Sequence, residues 1–483
     1  MNDLNNYGDM PPEEFRKYGH QLVDWIADFF TNIDNIPVLP NIKPGDIKAK
    51  LPQAPPHKGE PMENILADID PIIMPGMTHW NHPNFMAYFN STSSGPGILA
   101  ELLSGAFNIN GMLWKSCPSA TELEQVTLGW LRQMMDLPED FWGIIYDTAS
   151  VSTMHGIACA REYVNLEFRE KGMAGRKELP RLRLYASEQA HSSIDKGALT
   201  LGIGLEGIRK IPVDDQFRMI PGELQKAINE DRLNGWKPFC VIATIGTTST
   251  TSIDPLDEIA DICNYEKIWL HVDAAHAGIA AIIPEMRGIL NGIEKADSMV
   301  VNPHKWMFTP VDLSVFFTNK PNILRKAFSL VAEYLKTAED SQVENFMDYG
   351  IQLGRRFRSL KLWFIIRYFG KEGIINRIRE HIRIGQQFAR WIDDNPMFER
   401  TAPTPFSTIC FRAVPKNITN EEDLNEFNDK LMNAVNSTGK VFLTHTKLNG
   451  KFTIRLVVSG IRTEERHVQD AWDLLKEKLA ELQ

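Results

Sequence analysis

Between about residue 140 and residue 320 the chain repeats one pattern: a short apolar run rich in β-branched and aromatic residues, then a longer amphipathic stretch. The apolar runs are RLRLYAS (181–187), PFCVIATIG (238–246), IWLHVDAA (268–275), SMVVNPHKW (298–306) and LSVFFTN (313–319). The stretches Pro221 to Asn234 and Pro255 to Asn264 between them are long enough to be crossover helices. This alternation predicts a mostly parallel sheet with helices on both faces. Ligands of such sheets bind outside the carboxyl ends of the strands, so polar residues that close an apolar run mark where chemistry belongs.

The flanks read differently. Near the N-terminus Phe15, Tyr18, Leu22, Ile26 and Phe29 are spaced to line one helix face, with Pro11 and Pro12 at the start. An extended connector follows, carrying Pro52, Pro55, Pro56 and Pro61. A helical arm on such a tether suits docking on a second subunit or back on its own chain, and of the two a dimer is expected. Past a long helical region from Gly354 to Asn395, the tail alternates strand FSTICFRA (406–413), helix EEDLNEFNDKLMNAV (421–435), strands KVFLTH (440–445) and KFTIRLVV (451–458), and helix EERHVQDAWDLLKEKL (464–479). This is a small α+β lobe. The expected division is an N-terminal arm and dimerisation segment over 1–90, a large domain over 91–380 and a small domain over 381–483.

Composition narrows the class. At 483 residues, with 43% hydrophobic and 24% charged residues, the chain has ordinary globular usage and length for several lobes. Its 52 basic and 62 acidic residues sum to −10, the wrong sign for neutralising phosphate backbones, so no nucleic-acid partner is expected. Five cysteines without a CxxC spacing suggest neither a disulfide framework nor a zinc site. The N-terminal MNDLNNYGDMPPEEF has no basic and apolar leader pattern, and no apolar run reaches membrane-spanning length; a cytoplasmic protein without a membrane partner is expected.

Several strand ends carry reactive or polar groups: His191, Thr247 with Thr248, Asp273 and Lys305. A lysine in a partly desolvated site becomes nucleophilic and can form a Schiff base with an aldehyde. A buried aspartate needs a cation. Pyridoxal phosphate satisfies both, because its aldehyde takes the lysine and its protonated ring nitrogen, paired with the carboxylate, makes the ring an electron sink. The alternative for Asp273 and Lys305 is a buried salt bridge; small neighbours Ala274, Ala275 and Gly278 favour room for a flat ring. Thr148, Ala149 and Ser150 lead into an apolar-periodic helix whose first amides suit a phosphate, although a threonine there also serves as a simple cap. Asn302 and His304 are further candidate donors.

Four motifs, NPHKW (302–306), HVDAAHAG (271–278), QAHSS (189–193) and GRRFRSLKLWF (354–364), resemble the pyridoxal-phosphate decarboxylases of the aromatic-L-amino-acid decarboxylase family. The likeness also takes in the FRKYGHQLVDW helix and MPGMTHW (74–80). It implies an α/β protein of PLP-dependent fold type I, aspartate-aminotransferase-like, working as a homodimer with active sites between subunits. It implies that Lys305 carries pyridoxal 5'-phosphate, Asp273 pairs with the ring nitrogen and His191 stacks on the ring face. Ala149, Ser150, Asn302 and His304 would hold the phosphate, while Thr248 and Ala275 line the ring. Tyr334, in RKAFSLVAEYLKTAED, matches the tyrosine with which the family's true decarboxylases protonate the intermediate left by CO2; phenylalanine there accompanies relatives that react with oxygen and release an aldehyde.

The same resemblance suggests an L-amino acid substrate with an aromatic side chain. Trp80, Tyr88 and Phe89 resemble the family's aromatic pocket wall, and Gly354 the small residue of relatives that accept an indole, where some tyrosine-type relatives carry serine. Other lining positions depart from the pattern. Asn90 and Ser91 replace proline and threonine, Asn110 and Met112 replace isoleucine and phenylalanine, and His276 replaces the tyrosine of the common DAAYAG. These changes make the pocket more polar. Rival readings are a glutamate or histidine decarboxylase, an aromatic aldehyde synthase, or an aminotransferase that clamps the α-carboxylate with Arg356 or Arg358. A membrane-surface or nucleic-acid helix in GRRFRSLKLWFIIRYFG is a further rival. Against it, Phe357, Leu360, Phe364 and Ile365 recur at helical spacing, which predicts a core helix whose Arg355, Arg356, Arg358 and Lys361 form a basic outer face.

Overall fold

Strands β1 (Trp142–Tyr146), β2 (Arg181–Ser187), β3 (Ile208–Ile211), β4 (Trp236–Thr244), β5 (Trp269–Asp273), β6 (Ser298–Val301) and β7 (Ser314–Thr318) hydrogen-bond into one sheet in the order β1-β7-β6-β5-β4-β2-β3. The computed structural model describes residues 8–330, 337, 339–340 and 342–483. β7 runs antiparallel to both β1 and β6, and the other neighbours are parallel, as a sheet built from crossover units requires. Successive residues of β4 serve opposite faces: Cys240 and Ile242 join one core with Trp269 and Phe316, and Val241 and Ala243 join the other with Leu270 and Val272. Both faces are therefore dry, which explains the continuous apolar runs.

The C-terminal region forms a second, antiparallel sheet in the order β10-β11-β9-β8, from β8 (Phe398–Arg400), β9 (Thr408–Ala413), β10 (Thr444–Leu448) and β11 (Lys451–Val457). Helices Glu421–Asn436 and Glu465–Leu482 contribute Leu431, Val435, Val468 and Leu475 to its core. The expected strand 440–445 is displaced. Val441 and Leu443 enter this core, but Phe442 pairs with the N-terminal segment: its amide donates to Asn84 O (3.2 Å) and its carbonyl accepts from Met86 N (3.1 Å). The ladder with β11 begins only at Thr444.

Two further expectations are corrected. The helix foreseen from Gly354 starts at Ser359, runs to Asp393 and is broken at Gly370, whose φ of 64° interrupts it. Residues before Ser359 are held by side chains instead, with Asn110 Oδ1 accepting from Arg355 N at 2.9 Å. The basic outer face does not exist. Arg355 is buried on Glu124 (2.6 Å), Arg358 pairs with Asp312 (2.8 Å) and buried Lys361 pairs with Glu101, leaving only Arg356 largely exposed, on Glu101 at 2.7 Å. The three inward charges are each paired with a carboxylate far away in sequence.

The N-terminal helix spans Pro12–Thr31 and buries only Tyr18; Phe15 is 60% exposed, and Leu22 and Val23 are exposed too. Helix Gly95–Phe107 likewise exposes Leu99, Leu102, Leu103 and Phe107. Among the described residues no helix is long and apolar enough to cross a membrane.

Candidate active site

The parallel strands deliver their polar closures to one edge. Asp273 ends β5, in register with Thr244 of β4 and Val300 of β6. Lys305 lies just beyond β6 on the short helix Pro303–Trp306. Backbone bonds clamp the two turns together: Ala274 N donates to Val300 O (3.1 Å) and Asn302 N to Ala275 O (3.0 Å). Gly246 has φ +89°, and a Cβ there would lie 2.5 Å from that of Ala277, so only glycine lets the Thr247–Thr248 loop close onto the Asp273 turn. The smallness of Gly278 has a packing cause, since a Cβ would meet that of Ala274 at 2.6 Å.

Burial lowers the pKa of Lys305, and Asp273 opposes that shift. The two nevertheless form no salt bridge, and Asp273 Oδ1 accepts only from Ala275 N, at 3.2 Å. The buried ion pair is thus not what these residues make with each other. His191 sits within reach of both charges: burial lowers its pKa, Asp273 raises it and Lys305 lowers it. Its Nδ1 accepts from Ser193 N (3.1 Å), which fixes the proton on Nε2 and leaves that edge free.

At the start of helix Ala149–Tyr163 the Thr148 side chain caps nothing, and the amides of Ala149 and Ser150 make no hydrogen bond among the described residues. Two free N–H groups at the positive end of a helix dipole are suited to an anion. Asn302 Oδ1 is buried without a partner. His304 has a task the sequence did not reveal: its Nδ1 accepts from Leu313 N (2.9 Å), and burial with the nearby Lys305 charge holds its pKa at about 3. Only its Nε2–H remains to offer. An unpaired amine, an underused carboxylate and free anion-binding amides are together the donor set that pyridoxal phosphate needs, and the residues present fit it.

The pocket residues fall into two groups. Trp80 stacks on Tyr88 (5.7 Å between ring centroids) and tilts on Phe85 (4.4 Å), and Lys305 Nζ lies 5.4 Å from the Phe89 ring. Ser91, partly exposed, follows on this segment. Asn110, Met112 and Gly354 form the second group: Asn110 Nδ2 is 3.6 Å from Met112 Sδ, and a Cβ on Gly354 would meet Asn110 Nδ2 at 3.6 Å. Among the described residues no hydrogen bond, ion pair or ring stack links the groups within one chain. Thr248, exposed, and Ala275, buried, stand on the turns already described. Tyr334 lies outside the described residues.

Sequence reasoning missed Arg455. From β11 its guanidinium donates to Thr248 O and Ser249 O (both 2.8 Å) and to Thr444 Oγ1 (3.2 Å), and it lies 5.6 Å from the Phe89 ring. The one available signal was an arginine inside the apolar strand KFTIRLVV. A column of rings also escaped notice: Phe89 on His276 (3.9 Å, 9°), His276 on Trp306 (4.9 Å, 10°), with Trp306 Nε1 donating to His381 Nδ1 at 3.0 Å.

The chain is similar to known proteins over nearly its whole length. The pyridoxal-dependent decarboxylase conserved domain matches residues 44–414. Tryptophan decarboxylase 2 of Oryza sativa subsp. japonica is 39% identical over 479 residues, covering 97% of this chain and 95% of the relative. Phenylacetaldehyde synthase of a Rosa hybrid cultivar is 38% identical over 481 residues, covering 97% and 94%. Among solved structures, Oryza sativa TDC with PLP and tryptamine superposes with a TM-score of 0.95 at 34% identity, over 99% of this chain and 100% of that one.

Proposed function

From the premise that the chain belongs to the pyridoxal-dependent decarboxylases, in the aromatic-amino-acid decarboxylase family of fold type I, we propose that it converts L-aromatic amino acids to arylalkylamines and CO2. The chain is a pyridoxal-phosphate-dependent carboxy-lyase, and its family acts on aromatic amino acids to give amines or aldehydes. The observation that carries the aromatic reading is the Trp80, Tyr88 and Phe89 wall beside the Lys305 amine. A distal carboxylate would need a free cation, and the nearby arginines are committed: Arg455 to Thr248, Ser249 and Thr444, Arg355 to Glu124, Arg356 to Glu101 and Arg358 to Asp312.

Each residue then has a task. When bound, pyridoxal phosphate supplies the aldehyde that captures an amine and the ring that accepts the electrons released with CO2. Lys305, with its pKa lowered by burial, is the amine that would anchor the cofactor. Asp273 would pair its carboxylate with the ring nitrogen. The Ala149 and Ser150 amides, with Asn302 and His304, would hold the phosphate, and His191 would pack on the ring. Thr248 and Ala275 would line the ring. Tyr334 delivers the proton to the former α-carbon, which makes the product an amine. The Asn110, Met112 and Gly354 group, which no hydrogen bond, ion pair or ring stack links to the Lys305 side among the described residues, completes the pocket of a second subunit in a homodimer.

The test is a product assay: purified protein with pyridoxal phosphate and an equal mixture of L-aromatic acids, histidine and glutamate, with amine, CO2 and peroxide followed together. Equal amounts of aromatic amine and CO2 without peroxide are expected. Aldehyde with peroxide would favour the synthase reading, and amine from glutamate or histidine alone would overturn the aromatic one.

A further inference from the structure

His276 is 2% exposed, yet neither Nδ1 nor Nε2 has a hydrogen-bond partner. A neutral imidazole carries one donor and one acceptor, and leaving either buried and unpaired is costly, so a packing role alone accounts poorly for a histidine here. The ring is fixed in place, held between Phe89 at 3.9 Å and Trp306 at 4.9 Å, nearly parallel to both. Trp306 is the residue after Lys305, and Phe89 is the ring 5.4 Å from Lys305 Nζ. His276 also sits three positions after Asp273 in the same turn. The charged and titratable groups around it are Lys305 from the turn after β6, Arg455 from β11 and His381 from the helix Ser359–Asp393; with burial they hold its pKa well below the usual imidazole value. An imidazole with both nitrogens unpartnered thus lies among the groups that would anchor the cofactor.

We propose that His276 is a positioning residue that hydrogen-bonds to the cofactor bound on Lys305 and thereby sets the proton affinity of that linkage. This rests on Lys305 being the anchoring amine. An N–H directed at an acceptor of the bound cofactor favours the deprotonated linkage, so its loss raises the pH at which the linkage takes up a proton. The tyrosine of the common DAAYAG offers one O–H at the same position; the histidine offers a donor and an acceptor.

The experiment is a spectrophotometric pH titration of the visible absorption band of the holoenzyme, with His276→Phe and His276→Tyr, which differ only in the hydroxyl. His276→Phe is expected to raise the midpoint by about half a unit to one unit, the worth of one hydrogen bond, and to loosen pyridoxal phosphate several-fold. His276→Tyr should return the midpoint towards that of the parent. An unmoved midpoint in both variants, or an equal shift in both, would overturn the inference. If His276→Phe does not fold, 15N-histidine spectra of the parent apoenzyme decide: a His276 ring nitrogen should shift when pyridoxal phosphate is added, and two unmoved nitrogens refute the assignment. Lys305→Ala separates the two levels. Retention of the band in that variant would sink the anchor, whereas its loss alongside an unmoved His276→Phe midpoint sinks only this inference.

Discussion

Gly156 lies against the imidazole of His271: a Cβ at Gly156 would stand 2.8 Å from His271 Nδ1. That nitrogen is itself engaged with Ser298 Oγ at 2.9 Å, and Trp269 Nε1 donates to the same oxygen at 3.0 Å, so the ring has no freedom to yield. The absence of one methyl group thus sets how closely helix Ala149–Tyr163 approaches β5. The same helix presents the free amides of Ala149 and Ser150. Gly156→Ala should cost about 1–3 kcal/mol of stability through overpacking and weaken pyridoxal phosphate binding together with it. Thermal melts and a cofactor titration measure both, and a variant as stable as the parent would show that the helix can shift without penalty.

Tyr334→Phe should lower amine formation by about 10²–10⁴-fold, the usual worth of a positioned proton donor. Products should move to aldehyde, CO2, ammonia and hydrogen peroxide, consuming one O2 and one water per turnover. Amine and peroxide quantified side by side provide the check. An unchanged product ratio would take Tyr334 out of the protonation step.

Subunit mixing tests whether the two pocket groups meet across a dimer. Lys305→Ala and Asn110→Trp homodimers should each be nearly inactive. Denatured together and refolded, they should regain up to about a quarter of parental activity, because random pairing makes half the dimers hybrid and each hybrid has one intact site. Activity that stays at the level of the separate variants would place both groups in the same chain's site.

Acid should unfold this protein early. Burial holds His82, His155, His271 and His381 at about 4 and His304 at about 3, against an ordinary 6.5. Between those limits the unfolded chain binds protons that the folded chain refuses, so stability rises with pH across the window and is lost as pH falls from 6.5 towards 4. Asp254 acts oppositely. Buried and held at about 6, it contributes stability at low pH that is lost as pH rises through that value. Five imidazoles outweigh one carboxyl, and the melting temperature should fall steadily between pH 7 and pH 5. A flat or rising profile over that range would contradict the balance.

The large sheet was readable because both its faces are dry: β2 coincides with RLRLYAS, β5 to β7 fall within the apolar runs that announced them, and β4 begins at Trp236, two residues before its run. The reversed direction of β7 left no local mark, since strand direction is set by partners and not by composition. Strand ends were legible as places for chemistry for the same reason, each being a polar closure after an apolar run. Long-range pairings were not. Nothing in GRRFRSLKLWF shows that Arg355 turns inward to Glu124, because the carboxylate that stabilises it lies 231 positions earlier. Phe442 was misread for a related reason, as local β-propensity cannot tell pairing with β11 from pairing with the segment at Asn84 and Met86. His276 was visible as an oddity in the HVDAAHAG motif, but its stacking partner Phe89 is distant in sequence.

The bonds from Arg455 to the carbonyls of Thr248 and Ser249 mean that the C-terminal sheet cannot be treated as an interchangeable module. A chimera that replaced everything after Asn395 with the tail of a relative would inherit the loop after β4 from one parent and its clasp from the other. Unless the donor tail placed a guanidinium at the same point of β11, the loop that carries Thr248 would lose its anchorage while every strand of the large sheet stayed intact.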